Sequence, residues 1–396
     1  MNKSIYLILL IKGLRTFVFG IVSVLTPIYL AMLGFPPIYV GISLFLMVLG
    51  NVLSNILLTW FGDIIGRKKL LIIFSFLMFI SGILLSSSSL YPIIAAALLI
   101  GNISTTGTEA GPFQSIETGV LPRFTGNKLG RVLGVYNLIG YSASSIGALT
   151  SSLPAYLGNN LHIIRLMYIL YALAGLIMII IYNALNGIET TKRRLGLRWL
   201  SGLTINDIRN LSILFSIDAF GGGLVTQSLL SYWFYIRYGV SLRELGLVFM
   251  VVNVVTAISL VIAPLIAERI GNLRAMVYTH LVSNIFLILV PLAGTFLGSL
   301  AFLLLRQSVS QMDVPTRQAF MAQIFNDEER VAANAITNTA RSISTLPGSL
   351  IAGDLISLTL YSLPFIISGS MKIIYDLTIY LMYKDRTKEH LVSNST

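Results

Sequence analysis

The chain has 396 residues, of which 55% are hydrophobic and only 11% charged, against roughly a quarter charged in an ordinary soluble domain. That composition, with a mean hydropathy of +0.83, excludes a soluble globular protein and excludes disorder, which needs polar sequence to stay solvated. The 27 Lys and Arg outnumber the 16 Asp and Glu to give a net charge of +11, and in so apolar a chain this excess reads as membrane topology and implies no nucleic-acid partner. There is no cysteine, hence no disulfide, iron–sulfur or thiolate–zinc site, and three histidines are all that remain for other metal or acid–base work.

A membrane-crossing helix needs about 20 mostly apolar residues. Runs of that size lie at 7–33, 38–61, 70–89, 92–118, 130–156, 164–185, 210–236, 243–266, 274–294, 297–322, 331–356 and 359–383, predicting twelve spans joined by short connections with no inserted soluble domain. The first run is too long for a signal peptide, lacks an A-x-A-like cleavage site and leads straight into further spans, so it is read as retained. Connections after even-numbered spans, with the tails, hold Lys3, Arg67, Lys68, Lys69, Arg123, Lys128, Lys192, Arg193, Arg194, Arg198, Arg269, Arg330, Lys384, Arg386 and Lys388, whereas the others hold at most Arg165, Arg237 and Arg243. The positive-inside rule then places both termini in the cytoplasm.

The longest connection carries Lys192-Arg193-Arg194 and divides the chain into residues 1–186, a linker 187–209, and residues 210–396 with a short tail. Superimposing the halves puts Gly41 on Gly246, Asp63 on Glu268 and Gly66 on Gly271, and one residue less puts Glu109 on Asp313. Parallel repeats of this kind are an architecture of secondary transporters, with substrate bound near the midplane.

Between spans two and three stands Asp63-Ile64-Ile65-Gly66-Arg67-Lys68-Lys69, with a half-matching copy, Glu268-Arg269-Ile270-Gly271-Asn272-Leu273-Arg274, in the second half. Together with the spans and the repeat, this loop resembles the major facilitator superfamily signature G-x-x-x-D-R/K-x-G-R-R/K, departing from it at Thr59 and Ile64. The resemblance covers essentially the whole chain and implies an all-α membrane protein, its twelve transmembrane helices arranged as two pseudo-symmetric six-helix bundles. It also implies that Asp63 makes a charge-relay contact with span eleven, through Arg341 or Arg330. Physically, Gly66 suits a tight turn with positive φ, and Arg67, Lys68 and Lys69 suit an anionic membrane surface. The alternative reading of the loop is a topogenic basic turn with no further role.

Charges inside spans are costly and persist where they pair or line a wet cavity. They are Arg15, Glu109, Asp218, Arg306 and Asp313, with Arg317 further inward, Arg341, and Lys372 with Asp376. In the resembled family spans one, four, seven and ten line the cavity and three, six, nine and twelve face lipid, so the first five charges fall on cavity spans. Arg15 is expected to pair with Glu109, and Asp218 with Arg317 or Arg306, as an inner gate and proton-sensing cluster; fixed ion pairs that only brace helices are the alternative. Asn102, Gln227, Gln307 and Gln311, with Tyr232 and Trp233, are expected to add polar and aromatic groups to the cavity. Pro112 and Pro315 predict kinks, Gly221-Gly222-Gly223 predicts a break rather than a packing face, and the small residues of spans five and eleven predict close helix approach.

Function follows from these expectations. The chain reads as a secondary active transporter moving a small solute by alternating access, proton-coupled, with efflux favoured over uptake, in the plasma membrane and as a monomer. The segment Gln311-Met312-Asp313-Val314-Pro315-Thr316-Arg317-Gln318, followed by Asp327-Glu328-Glu329-Arg330, resembles a prokaryotic drug- or metabolite-exporting branch of the family, although span five lacks the antiporter signature G-P-x-x-G-G. No phosphate-binding G-x-x-x-x-G-K-[ST] loop occurs. An enzyme is not expected, because His162, His280 and His390 fall in an outer loop, a cytoplasmic helix end and the tail, and no cofactor or metal is expected. The alternative is a transporter-like sensor or scaffold.

Overall fold

The computed structural model describes residues 3–108, 111–125, 129–158, 160–185, 187, 202–325 and 327–385. Its helices, in chain order, are α1 (Lys3–Met32), α2 (Pro37–Ile65), α3 (Arg67–Ser87), α4 (Tyr91–Ile100), α5 (Pro112–Val120), α6 (Pro122–Thr125), α7 (Leu129–Thr150), α8 (Leu153–Tyr156), α9 (Leu161–Ala184), α10 (Gly202–Leu224), α11 (Gln227–Tyr238), α12 (Leu242–Ile270), α13 (Asn272–Leu292), α14 (Phe296–Ser310), α15 (Asp313–Ile324), α16 (Asp327–Ser357) and α17 (Leu363–Tyr383). Among the described residues nine helical stretches are long and apolar enough to cross a membrane. The stretches expected as spans four, ten and eleven are not among them. Span four is interrupted between α4 and α5, span ten parts at Gln311 and Met312, and α16 is the most polar of the long helices.

The chain forms two compact units. One comprises residues 1–193, 226–254 and 349–359, the other residues 194–225, 255–348 and 360–396.

In the first unit α1 is the central post. Its residues are buried without interruption from Val18 to Leu30, as expected for a helix that is apolar on all sides. It packs on α7 and α9, and α9 packs on α3. Glycines set these distances: a Cβ on Gly147 would strike the Phe17 carbonyl, and one on Gly175 would lie 2.8 Å from the Ser75 carbonyl. The small residues of span five therefore do allow close approach, the usual basis of helix association in lipid. By contrast Leu53, Leu57, Trp60 and Ile64 form an exposed apolar stripe on α2, suited to lipid.

The interruption of span four is larger than a proline kink. After α4 the chain leaves helical geometry at Asn102 (φ 52°), Gly107 (φ 76°) and Gly111 (φ 99°), and α5 restarts at Pro112. Irregular backbone survives at membrane depth only where protein satisfies its polar groups. Here Tyr171 donates to the Gly101 carbonyl (2.5 Å), Asn51 to Ile103 (2.8 Å), Ser144 to Gly107 (2.7 Å), and the Ser228 N–H to Thr105 (3.0 Å).

That last bond belongs to a seam within this unit, at the end of α1 away from the N-terminus. Ser231 Oγ donates to the Val24 carbonyl (2.9 Å), Gln227 Nε2 to Ser23 Oγ (2.9 Å), and Ser145 Oγ to the Met250 carbonyl (2.9 Å). Gly41 and Gly353 meet backbone to backbone, so a Cβ on Gly41 would sit 2.6 Å from the Gly353 Cα.

The second unit is built around Ile208, Leu211 and Phe215 of α10, Leu273, Met276 and Val277 of α13, Phe320 and Met321 of α15, and Tyr375, Ile379 and Tyr383 of α17. The run Gly221-Gly222-Gly223 does not break α10, contrary to the sequence reading. It is a packing face: Ser368 Oγ donates to the Gly221 carbonyl (2.6 Å), and Gly223 lies against Gly348. Gly66 turns the chain between α2 and α3 with the expected positive φ (95°), and Gly271 does the same between α12 and α13 (φ 87°).

Candidate functional site

In the first unit α1 places Arg15 halfway along its length, fully buried, where an unpaired guanidinium is prohibitively costly. Its partner is Glu117 of α5: Nη1 donates to Oε1 and Nη2 to Oε2, both at 2.8 Å, the two-pronged geometry that suits a planar fork. The Tyr136 and Tyr182 hydroxyls donate to the same carboxylate at 2.7 and 2.5 Å, and the Phe113 ring lies 4.9 Å from the guanidinium carbon. One turn earlier Lys12 lies with its ammonium 4.4 Å from the centre of the Tyr136 ring. The carboxylate thus receives four donors and is closed to water.

The expected partner of Arg15, Glu109, lies outside the described residues; among those described, the carboxylate that meets Nη1 and Nη2 is Glu117. A continuous span four, as the sequence predicts it, puts Glu117 at the membrane edge. The restart of the helix at Pro112 instead carries Phe113, Ile116, Glu117 and Val120 inward on one face, a helical spacing visible in the sequence.

The second unit holds a larger cluster. Asp218 of α10 accepts from Lys372 Nζ at 2.5 Å and from Arg341 Nη1 at 2.8 Å, with Arg317 Nη1 at 3.8 Å and His280 Nε2 at 3.6 Å. His280 Nδ1 lies 2.8 Å from Asp376 Oδ1, whose other oxygen accepts from Asn284 Nδ2 at 2.9 Å. Asp313 pairs with Arg317 at 2.8 Å along α15, and the Phe215 ring lies within 6 Å of both Arg317 and Arg341. Asp218, Asp313 and Asp376 thus face Lys372, Arg317 and Arg341, with His280 set between two of the carboxylates. His280 therefore bridges two carboxylates, Nδ1 lying beside Asp376 and Nε2 towards Asp218.

Several expectations are revised here. Asp218 does meet Arg317, but Lys372 and Arg341 are its closer partners, and Arg306 is not among its ion pairs. Arg341, one of the two partners expected for Asp63, pairs with Asp218; the side chains of Asp63 and of Arg330, the other expected partner, lie outside the described residues. Lys372 and Asp376, on the span expected to face lipid, are 8% and 0% exposed, because their one-turn spacing on α17 aims both at α10 and α13. His280 is not at a helix end: α13 begins at Asn272, so the ring sits about 12 Å along the helix.

The remaining candidates fall into place locally. Arg306 of α14 donates from Nη1 to Gln307 Oε1 at 2.6 Å, and that oxygen also accepts from Ser310 Oγ at 2.8 Å. Gln307 Nε2 donates to Thr256 at 3.3 Å. Gln311 caps α14. Asn102 is buried at the turn that ends α4, and Gln227 is held in the seam with Ser23. Lys68 Nζ donates to the Asn183 carbonyl at 2.7 Å, near the C-terminal end of α9, where a cation is favoured; Arg67 opens α3. Among the described residues no group of three or more His, Asp or Glu is placed to hold a metal.

A sequence model described as the Major Facilitator Superfamily matches residues 8–308 and 211–396. An uncharacterized membrane protein of Saccharomyces cerevisiae, YJR124C, is 25% identical over 410 residues, covering 93% of this chain and 92% of its own. The solved nucleoside transporter NupG superimposes with a TM-score of 0.72 at 12% identity, over 97% of this chain and 100% of its own. A D-xylose-proton symporter does so with a TM-score of 0.74 at 16% identity, over 96% and 98%.

Proposed function

The chain belongs to the Major Facilitator Superfamily, and from that premise we propose that it is a proton-coupled carrier moving a small solute by alternating access, with efflux favoured over uptake. That it is a multi-pass membrane transporter and not an enzyme follows from the family. Proton coupling rests on the buried cluster of the second unit, above all on His280 held between Asp218 and Asp376. A conformational change that separates Lys372 or Arg341 from Asp218 would leave a carboxylate that favours a proton, since a neighbouring cation stabilises the charged form and burial the neutral one. The arginines stay charged throughout and act only by position.

In this reading residues 1–186 and 210–396 are the moving halves joined by the linker 187–209, the termini are cytoplasmic, and the protein acts as a monomer in the plasma membrane. The seam of Ser231, Gln227 and Gly41 is then the closed outer side. Arg15 with Glu117 braces the first unit, and Asp63, Gly66, Arg67 and Lys68 form the inner conformational hinge. Glu109 and Asp313 stay on the proton path by their place in the repeat. The exporter branch rests on the sequence between Gln311 and Arg330 alone.

The test uses proteoliposomes loaded with a pH-sensitive dye under an imposed pH gradient, with addition of candidate sugars, nucleosides, amino acids, drugs and organic anions. A transported solute should drive proton flux, and Asp218→Asn, His280→Gln, Asp313→Asn or Glu109→Gln should each uncouple the two to a measurable degree. Full coupling in all four variants would remove the cluster from the mechanism. Absence of any solute-driven flux or exchange by the folded protein would favour the sensor or scaffold reading.

A further inference from the structure

Among the described residues Arg306 has no carboxylate in ion-pair contact, although Asp313 and Asp218 of the same unit act on it from further away. Along α14 the exposed residues are Leu297, Ala301 and Leu305, one lipid-facing stripe, while Ser299, Leu303 and Ser310 are buried on the opposite side. By helical spacing Arg306 belongs to the second stripe. It is the eleventh residue of the helix, about 15 Å from its start, so the guanidinium is deep in the span and turned inward.

What holds it is neutral. The Gln307 amide oxygen accepts from Nη1, and Ser310 supports that oxygen from the next turn. Among the described residues no carboxylate lies within ion-pair distance of Arg306, and its Nε–H is buried without an acceptor. The aspartates of this unit's cluster are committed elsewhere, Asp218 to Lys372 and Arg341, Asp313 to Arg317, and Asp376 to His280 and Asn284. An amide fixes the direction of a guanidinium without cancelling its charge. Arg306 is therefore an oriented cation whose direct contact is a neutral amide and which has no anion in ion-pair contact among the described residues, at a depth where charges otherwise occur with a partner.

We propose that the partner is the cargo: Arg306 binds the anionic group, carboxylate or phosphate, of an organic-anion substrate. The planar fork matches either group in paired hydrogen bonds. This inference deepens the transport reading and rests on it, since it names the class of solute carried.

The experiment compares the wild type with Arg306→Gln and Arg306→Lys in detergent, using thermal unfolding as readout. The probes are benzoate, succinate and glucose 6-phosphate, each beside its uncharged counterpart, benzamide, succinamide and glucose. Without probe, Arg306→Gln should melt no lower than the wild type, because no internal carboxylate loses its partner. At least one anion should raise the melting temperature of the wild type while its neutral counterpart does not. Arg306→Gln should weaken that binding by about 10- to 100-fold, and Arg306→Lys should keep part of it, as charge remains but the fork is lost. A ligand-free Arg306→Gln protein that melts well below the wild type, no response to any anion, or equal responses in wild type and Arg306→Gln, would each overturn the proposal. Solute-driven flux of glucose or another neutral solute through Arg306→Gln in proteoliposomes would do so while leaving the transport reading intact.

Discussion

Replacing Glu117 by Gln tests whether the first unit depends on its buried ion pair. The substitution keeps size and shape but removes the charge that holds Arg15, which is wholly inaccessible to solvent. The carboxylate receives both Arg15 nitrogens and two tyrosine hydroxyls; an amide offers one oxygen to four donors and turns its own NH2 towards one of them. Removing one member of a buried pair costs about 3–5 kcal/mol. For a unit of this size that is about 6–20 °C in melting temperature. The assay is thermal unfolding in detergent at fixed scan rate, because unfolding of such a chain is a rate process, followed through the fluorescence of its three tryptophans. The double variant Arg15→Met with Glu117→Leu should recover most of the loss, since a well-packed apolar pair replaces a buried ion pair at little cost. A Glu117→Gln protein as stable as the wild type, or a double variant no better than the single one, would refute the reasoning.

In the second unit Asp218→Asn leaves Lys372 and Arg341 facing an amide. It should destabilise by about 3–5 kcal/mol, whereas Asp218→Asn with Lys372→Met should lose less than the two single losses added, a double-mutant cycle checking the coupling. Gly41→Leu cannot coexist with Gly353 at backbone contact. In this cysteine-free chain a single Ser231→Cys reporter, buried in the seam, should react slowly with a water-soluble maleimide and markedly faster once Gly41→Leu is added. Gly66→Ala, at φ 95°, should cost about 1–3 kcal/mol by the same thermal assay while leaving the glycine turn at Gly271 untouched.

Much of the fold is legible in the sequence because its solvent is. Apolar runs and basic turns place most helices, and the glycine loop repeated at Gly66 and Gly271 announces its own geometry. The interruption before Pro112 is less legible, because the irregular segment survives only through donors contributed by distant helices, among them Asn51, Ser144 and Tyr171. The same limit applies to the charges. That Arg15 and Asp218 must have partners follows from the cost of burying charge; which partners they take depends on where neighbouring helices begin. His280 illustrates it best: counted from an apolar run it falls at an edge, but α13 starts eight residues earlier, at Asn272, and carries it inside. The glycines at 221–223 read as a break in the helix until Ser368 and Gly348 are seen packed against them.

The two units solve the same problem with opposite signs. Arg15 on α1 and Asp218 on α10 fall within two positions of each other when the halves are superimposed on Gly66 and Gly271, yet one is a cation seated on an acid and the other an acid ringed by cations. This inversion bears on assembly. A duplicated chain threading into a bilayer offers each helix two similar sets of small-residue surfaces to dock on. If α1 took the place of α10 it would bring a guanidinium against Lys372 and Arg341, and α10 in the place of α1 would set Asp218 beside Glu117. Such like-charge encounters cost several kcal/mol, so charge sorts the helices into their own halves where shape alone would let them trade places.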